Sequence, residues 1–163
     1  MTAPKKPLST IEIASYAKVG EQFIPIADFK GPVDDPEYFE GAIEFYIDGQ
    51  MISSIPYWDD VNYLWDFLVG GVEKLARSEE WSTFWPDQPI RLSFTPLPMN
   101  DLVRVERTGS SDPDVQALAN RPALMAMLLV GAAEFVEVYG RFANEDWVSE
   151  VQKKIRELQT ELD

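Results

Sequence analysis

The sequence predicts an α+β domain: a mainly antiparallel sheet of four to six strands carrying about three helices packed mainly on one face. Three observations lead there. Apolar residues recur at three- and four-residue spacing from Val61 to Leu75, an Asp48-Gly49 pair separates two apolar runs, and everything after Pro122 is patterned as helix. With 163 residues, 45% of them apolar, the chain closes one good core, so residues 1–163 are read as a single domain with Met1–Pro7 as a flexible lead-in.

The elements follow in order. Leu8 to Val19 alternates with Ile11, Ile13 and Ala17 on one side, a first strand. Phe23 to Ala27 reads as a short edge strand, because Pro25 cannot donate to a ladder. Asp28 to Glu40, with Gly31, Pro32, Asp34, Asp35 and Pro36, is a turn-rich acidic segment suited to a long functional loop. Ala42–Ile47 and Gln50–Ile55 then flank Asp48-Gly49 as a hairpin.

The first helix spans 59–77, with Val61, Leu64, Trp65, Leu68, Val69, Val72 and Leu75 on one face and Asp59 or Asp60 as N-cap. Gly70-Gly71 interrupts it at a cost of about 1 kcal/mol each, which close approach by another element, such as Gly131-Ala132, would offset. An aromatic connection, Trp81 to Pro89, leads to strands Ile90–Leu97 and Leu102–Thr108, separated by the turn signals Pro96, Pro98 and Asn100-Asp101. Gly109 to Arg121 reads as a loop with room for one turn of helix. Pro122 sits at a first helical position, and the helix from 122 to about 142 is apolar nearly all round as far as Ala133. A last helix, 145–162, aligns Val148, Val151, Ile155, Leu158 and Leu162.

Composition removes more chemistry than any motif adds. There is no Cys and no His, so thiolate and imidazole catalysis and the metal sites built from those ligands are out of reach. Twenty-eight acids against fourteen bases give a net charge of −14, which repels phosphate backbones and anionic membranes and attracts a basic protein. Met1–Pro7 precedes no apolar run and does not read as a signal peptide, and the uncharged stretch Pro122–Ala133 falls short of the roughly 20 residues a bilayer requires. A cytoplasmic location is expected.

Each candidate for chemistry has a plainer reading. Asp34, Asp35, Glu37 and Glu40 offer oxygen ligands for a hard cation, but they lack the central glycine of an EF-hand loop, and a solvated acidic loop is the commoner structure. Two carboxylates suffice for glycoside hydrolysis, yet among so many acids that signal has little specificity. Glu134 and Glu137 lie one turn apart with no histidine beside them and read as solvated charges. No cofactor, metal or catalytic residue is expected. The C-terminal stripe is too short for a coiled coil and is expected to pack on its own domain.

The aromatics and the charge converge on one segment. Between Glu21 and Asp66 lie eleven acids and a single base, Lys30, so this quarter of the chain carries −10 of the −14. Within it Tyr57, Trp58, Tyr63, Trp65 and Phe67 crowd the start of the first helix; Trp65 belongs to its core face, while Tyr63 and Phe67 point elsewhere. Aromatic anchors bordered by acids are how a surface holds a basic partner. The expected partner-binding residues are therefore Asp34, Asp35, Glu37, Tyr38, Glu40, Tyr57, Trp58, Asp59, Asp60 and Tyr63.

The run Tyr57-Trp58-Asp59-Asp60-Val61-Asn62-Tyr63-Leu64-Trp65, continuing through Leu68-Val69-Gly70-Gly71-Val72-Glu73 to Trp85-Pro86-Asp87-Gln88-Pro89-Ile90-Arg91-Leu92, resembles small acidic bacterial immunity proteins of toxin-immunity systems. The resemblance covers the central third of the chain and implies an inhibitor that binds a toxin domain. The alternatives are an adaptor or structural subunit using the first helix or the C-terminal stripe as an interface, and a small carboxylate-based hydrolase, which would need a pocket lined by acids of raised pKa. Oligomeric state is not legible.

Overall fold

The computed structural model describes residues 9–163; Leu8 and the Met1–Pro7 lead-in lie outside them. Strands β1 (Ile11–Val19), β2 (Gln22–Pro25), β3 (Glu40–Ile47), β4 (Gln50–Ser53) and β5 (Asp59–Asp60) precede helix α1 (Val61–Ala76). Then come β6 (Trp81–Phe84), β7 (Arg91–Pro96), β8 (Leu102–Thr108) and β9 (Val115–Asn120), followed by α2 (Arg121–Tyr139) and α3 (Glu145–Leu162). The fold is α+β and every strand pairing is antiparallel.

The strands divide between two sheets. The first runs β2-β1-β3-β4 with β5 also on β3, and the second β6-β7-β8-β9. Pro25 lies in edge strand β2, and Asp48 and Gly49, both at positive φ, make the turn of the β3–β4 hairpin. Two expectations are corrected here. Trp81–Phe84, expected as a connection, pairs with β7, and Val115–Asn120, expected within a loop, pairs with β8.

One core joins both sheets to the helices. Leu64, Trp65, Leu68 and Val72 of α1, Leu92 and Phe94 of β7, Leu128 and Phe135 of α2, and Ile155 of α3 are all buried within it. Gly131 fits against the Trp65 ring and Ile13, and Gly71 against Trp81; the expected packing of Gly131 against Gly70-Gly71 does not form. By length and composition α2 could cross a membrane, but here it packs on β1 and between α1 and α3. Glu134 and Glu137 are exposed on it, and Pro122 stands at its second position, not its first. The α3 stripe Val148, Val151, Ile155 and Leu158 is consumed by the core, so it offers no seam for a second chain.

Arg107 ties the sheets together. Its position is in phase with the inward Val103 and Val105 of β8, and its side chain is only 1% exposed. The guanidinium donates to the carbonyls of Ile52 (3.1 Å), Met51 (3.2 Å) and Pro113 (3.0 Å) and to Ser110 Oγ (2.8 Å). It also lies 5.1 Å from the Tyr57 ring centroid. Four accepting groups replace the water this charge has lost.

Candidate functional site

The acidic segment becomes a latched loop. Phe39 N–H donates to Asn62 Oδ1 (3.2 Å), Asn62 Nδ2 donates to the Glu37 carbonyl (3.0 Å), and the Tyr139 hydroxyl donates to the Pro36 carbonyl. Val61 N–H also donates to the Phe39 carbonyl (2.9 Å). With its backbone bonded inward to α1 and α2, the loop turns Asp34, Asp35, Glu37, Tyr38 and Glu40 out to solvent. Tyr38 is 58% exposed and Trp58 40%, and Tyr63, also exposed, stands edge-on to Tyr38 at 6.5 Å between ring centroids. These seven residues, all among the ten expected partner-binding positions, share one side of the molecule through three adjoining clefts.

Three expected site residues are placed otherwise. Tyr57 is buried: its ring lies against Arg107, its hydroxyl donates to Asp112 and Ser110, and its carbonyl accepts from Trp85 Nε1 (3.0 Å). It is a core residue and not an exposed anchor. Asp59 and Asp60, expected as rim charges, are buried as well. They form β5 against Glu40 and Gly41, and on its other side Gly41 lies so close to β1 that a Cβ would stand 2.1 Å from the Tyr16 carbonyl oxygen. Asp60 occupies the N-cap position of α1, but its side chain does not cap the helix.

The side chain of Asp59 organises a turn that sequence reasoning passed over. Its Oδ1 accepts from Asp60 N–H (2.7 Å) and its Oδ2 from Asp87 N–H (3.1 Å), while Gln88 Nε2 donates to the Trp58 carbonyl (2.7 Å). Asp87 is thereby brought to Asp60, and carboxylate oxygens of Asp59, Asp60 and Asp87 lie within 4.8 Å of one another. The carboxyl of Asp60 is raised to about 6, first by burial, then by Asp87, Asp59 and Glu40. Glu40 faces Asp60 across the β3–β5 pairing, and like charges directly opposite destabilise a sheet. Among the described residues, the acids close enough to share one cation are these three, not the loop set Asp34, Asp35, Glu37 and Glu40.

Around this group lies an open cleft of about 470 Å³ lined by Tyr38, Glu40, Pro56, Trp58, Asp59, Asp60, Asp87 and Gln88. Among the described residues, no Lys or Arg lines it. Lys18 lines the adjoining cleft with Asp34 and Asp35 and holds its Nζ 4.4 Å from the Trp58 ring centroid. The arrangement can attract cations electrostatically and by ring faces, and burial and its acidic neighbours raise the Asp60 carboxyl to about 6. No family model, curated protein or solved structure matches the chain, so the reading of the site rests on this geometry.

Proposed function

We propose that the chain is an acidic protein-binding module whose latched loop and neighbouring clefts receive a basic protein, as an immunity protein receives the toxin it neutralises. The observation that carries this reading is the exposure of Tyr38, Trp58 and Tyr63 on one side of the molecule amid Asp34, Asp35, Glu37, Glu40 and Asp87. Large exposed rings in a charged field are unusual unless something covers them, and rings with an acidic rim combine holding with steering.

The adaptor reading loses the α3 stripe, which the core occupies. The hydrolase reading has one specific observation in its favour, the raised carboxyl of Asp60 beside Asp87. Their oxygens, within 4.8 Å, are closer than the roughly 5 to 9.5 Å that glycosidases keep between two carboxyls, and the pair interacts directly instead of flanking a space for substrate.

The test is co-expression with products of the neighbouring genes. A toxic product whose growth arrest is relieved by this chain, and no longer relieved when Tyr38, Trp58 and Tyr63 are replaced together by alanine, supports the reading. Relief that survives that triple change, or no neighbour that binds, sinks it.

A further inference from the structure

The two sheets end in four outer strands, β2, β4, β6 and β9, and an outer strand left open is a template for another chain. Three of the four are blunted or occupied. Pro25 removes a donor from β2. The Met51 and Ile52 carbonyls of β4 accept from Arg107, while β9 lies against β4 and its Asn120 N–H donates to Ser9 Oγ (3.1 Å). β6, Trp81-Ser82-Thr83-Phe84, carries no proline, no charge and no bulge, and its Trp, Thr and Phe favour extended backbone.

The ladder fixes which backbone groups of β6 are open. Trp85 N–H donates to the Ile90 carbonyl (2.9 Å), and the register sets Phe84 opposite Arg91, Thr83 opposite Leu92 and Ser82 opposite Ser93. Bonded and non-bonded pairs alternate along an antiparallel ladder, so Thr83 bonds Leu92 while the N–H and C=O of Ser82 and Phe84 point away from β7. The Phe84 carbonyl meets the Thr83 hydroxyl (3.3 Å) and keeps a second lone pair. Trp81 packs on Gly71 of α1, whereas the Phe84 side chain, on the opposite face of the strand, is 57% exposed.

Charge decides between occupants. A second copy laying its own β6 alongside, with Ser82 opposite Phe84, would set Glu79 of each chain opposite Asp87 of the other, on chains that each carry −14. For an extended basic segment the acids at the two ends, Glu80 before the strand and Asp87 after it, attract instead. Arg91 lies one strand further in, where it donates to Ser82 Oγ (3.2 Å). Asp87 also lines the cleft of Trp58 and Tyr38, so the edge runs into the acidic face.

We propose that β6 is a docking edge, on which an extended segment of the basic partner adds as a fifth strand of the sheet, bonded by the backbone of Ser82 and Phe84 and covering the Phe84 ring. The inference rests on the reading of the chain as protein-binding and adds the conformation of what is bound.

The probe is the peptide acetyl-Lys-Thr-Val-Thr-Val-Lys-amide, a neutral strand-forming centre between two bases, titrated into the whole protein while amide shifts and hydrogen exchange are followed. Saturable shifts are expected at residues 81–85, with exchange at the Ser82 and Phe84 amides slowed about tenfold or more at saturation. The same peptide N-methylated at its four central amides keeps its side chains and charge and should give no saturable shift. Ser82→Pro removes an outward N–H and leaves the bonds to β7 in place, so it should weaken the peptide about fivefold or more, while Ser82→Ala should not. Phe84→Lys, expected to weaken it about threefold or more, serves should the proline disturb the fold, which the variant's own spectrum reports. Equal binding of the N-methylated peptide, shifts confined to the acidic face, or native affinity in both Ser82→Pro and Phe84→Lys would each overturn the proposal. So would protection of the same amides that grows with protein concentration in the absence of peptide, the mark of a second copy. A toxic partner still neutralised by Ser82→Pro and Phe84→Lys, but not after the triple alanine change at Tyr38, Trp58 and Tyr63, overturns the edge alone and leaves the acidic face standing.

Discussion

Arg107 and Asp60 are both charges taken out of water, and their surroundings treat them in opposite ways. Arg107 gives its donors to the carbonyls of Met51, Ile52 and Pro113 and to Ser110, so it closes a junction between β8 and β4. Asp60 meets Asp87, Asp59 and Glu40, three groups of its own sign. The first charge is complete within the fold and belongs to stability. The second is opposed by like charges and works against the fold at neutral pH. Burial of a charge therefore says little alone; the neighbours decide which kind it is.

The comparison can be broken at several points, and Arg107→Met should show the largest effect. It leaves three buried carbonyls without their donor, and a loss of about 3–5 kcal/mol is expected in urea unfolding. A loss under about 1 kcal/mol would make Arg107 as dispensable as a surface charge. Leu68→Ala, an ordinary core truncation, should cost about 2–5 kcal/mol by the same measurement. Gly41→Ala tests the close approach of β1 to β3 beside the acidic group. The added methyl meets the Tyr16 carbonyl of β1, so about 1–3 kcal/mol should be lost, with the amide signals of Tyr16 and Ala17 displaced as β1 moves off β3.

Asp60→Asn should act in the other direction. The carboxyl ionises at 3.8 when unfolded and at about 6 when folded, so the folded state holds the extra proton between those values and stability declines as pH rises through that window. At neutral pH the native aspartate costs the fold its full effect, about 1 kcal/mol after screening by the open cleft. The asparagine variant should recover that amount above about pH 6 and lose the decline. Equal pH dependence in both proteins would show that Asp60 does not carry the raised pKa. The smallest effect is expected from reversing Asp34, Asp35 and Glu37 to lysine. Unfolding should shift by less than about 0.5 kcal/mol, while association with a basic partner slows and loses its salt dependence.

What was legible in the sequence depended on whether a signal was local. α1 and the hairpin at Asp48-Gly49 were readable because spacing and turn chemistry act within a few residues. β9 escaped because its inward residues are Val115, Ala117 and Ala119, and alanine carries little strand signal; the Val103 and Val105 it packs beside supply the reason for it. β6 escaped because four residues hold too few alternations. Its side-by-side pairing with β7 is what defines it. In the candidate site, the exposure of Asp34, Asp35, Glu37, Tyr38 and Glu40 was legible, whereas Asp59 and Asp60 were misplaced because aspartate is ordinarily outside. Their burial comes from Gly41 on one side and the turn at Asp87 on the other, contacts no periodicity encodes. Arg107 did have a signal: it continues the inward alternation of Val103 and Val105.

The latch formed by Asn62 and Tyr139 has a kinetic consequence. A loop rich in Gly, Pro and Asp ordinarily samples many shapes, and fixing each residue's backbone costs roughly 1–2 kcal/mol at the moment of binding. Here Pro36, Glu37 and Phe39 are already fixed by side chains from α1 and α2, so that entropy is settled during folding and encounter needs no search through loop conformers. An acidic face held in one shape can then convert long-range attraction directly into capture, with association rising from the usual range of roughly 10⁵–10⁷ M⁻¹s⁻¹ toward about 10⁸ M⁻¹s⁻¹ at low salt. Asn62→Ala, which frees the loop without touching a charge, would return the rate toward the unsteered range while leaving the protein's field intact.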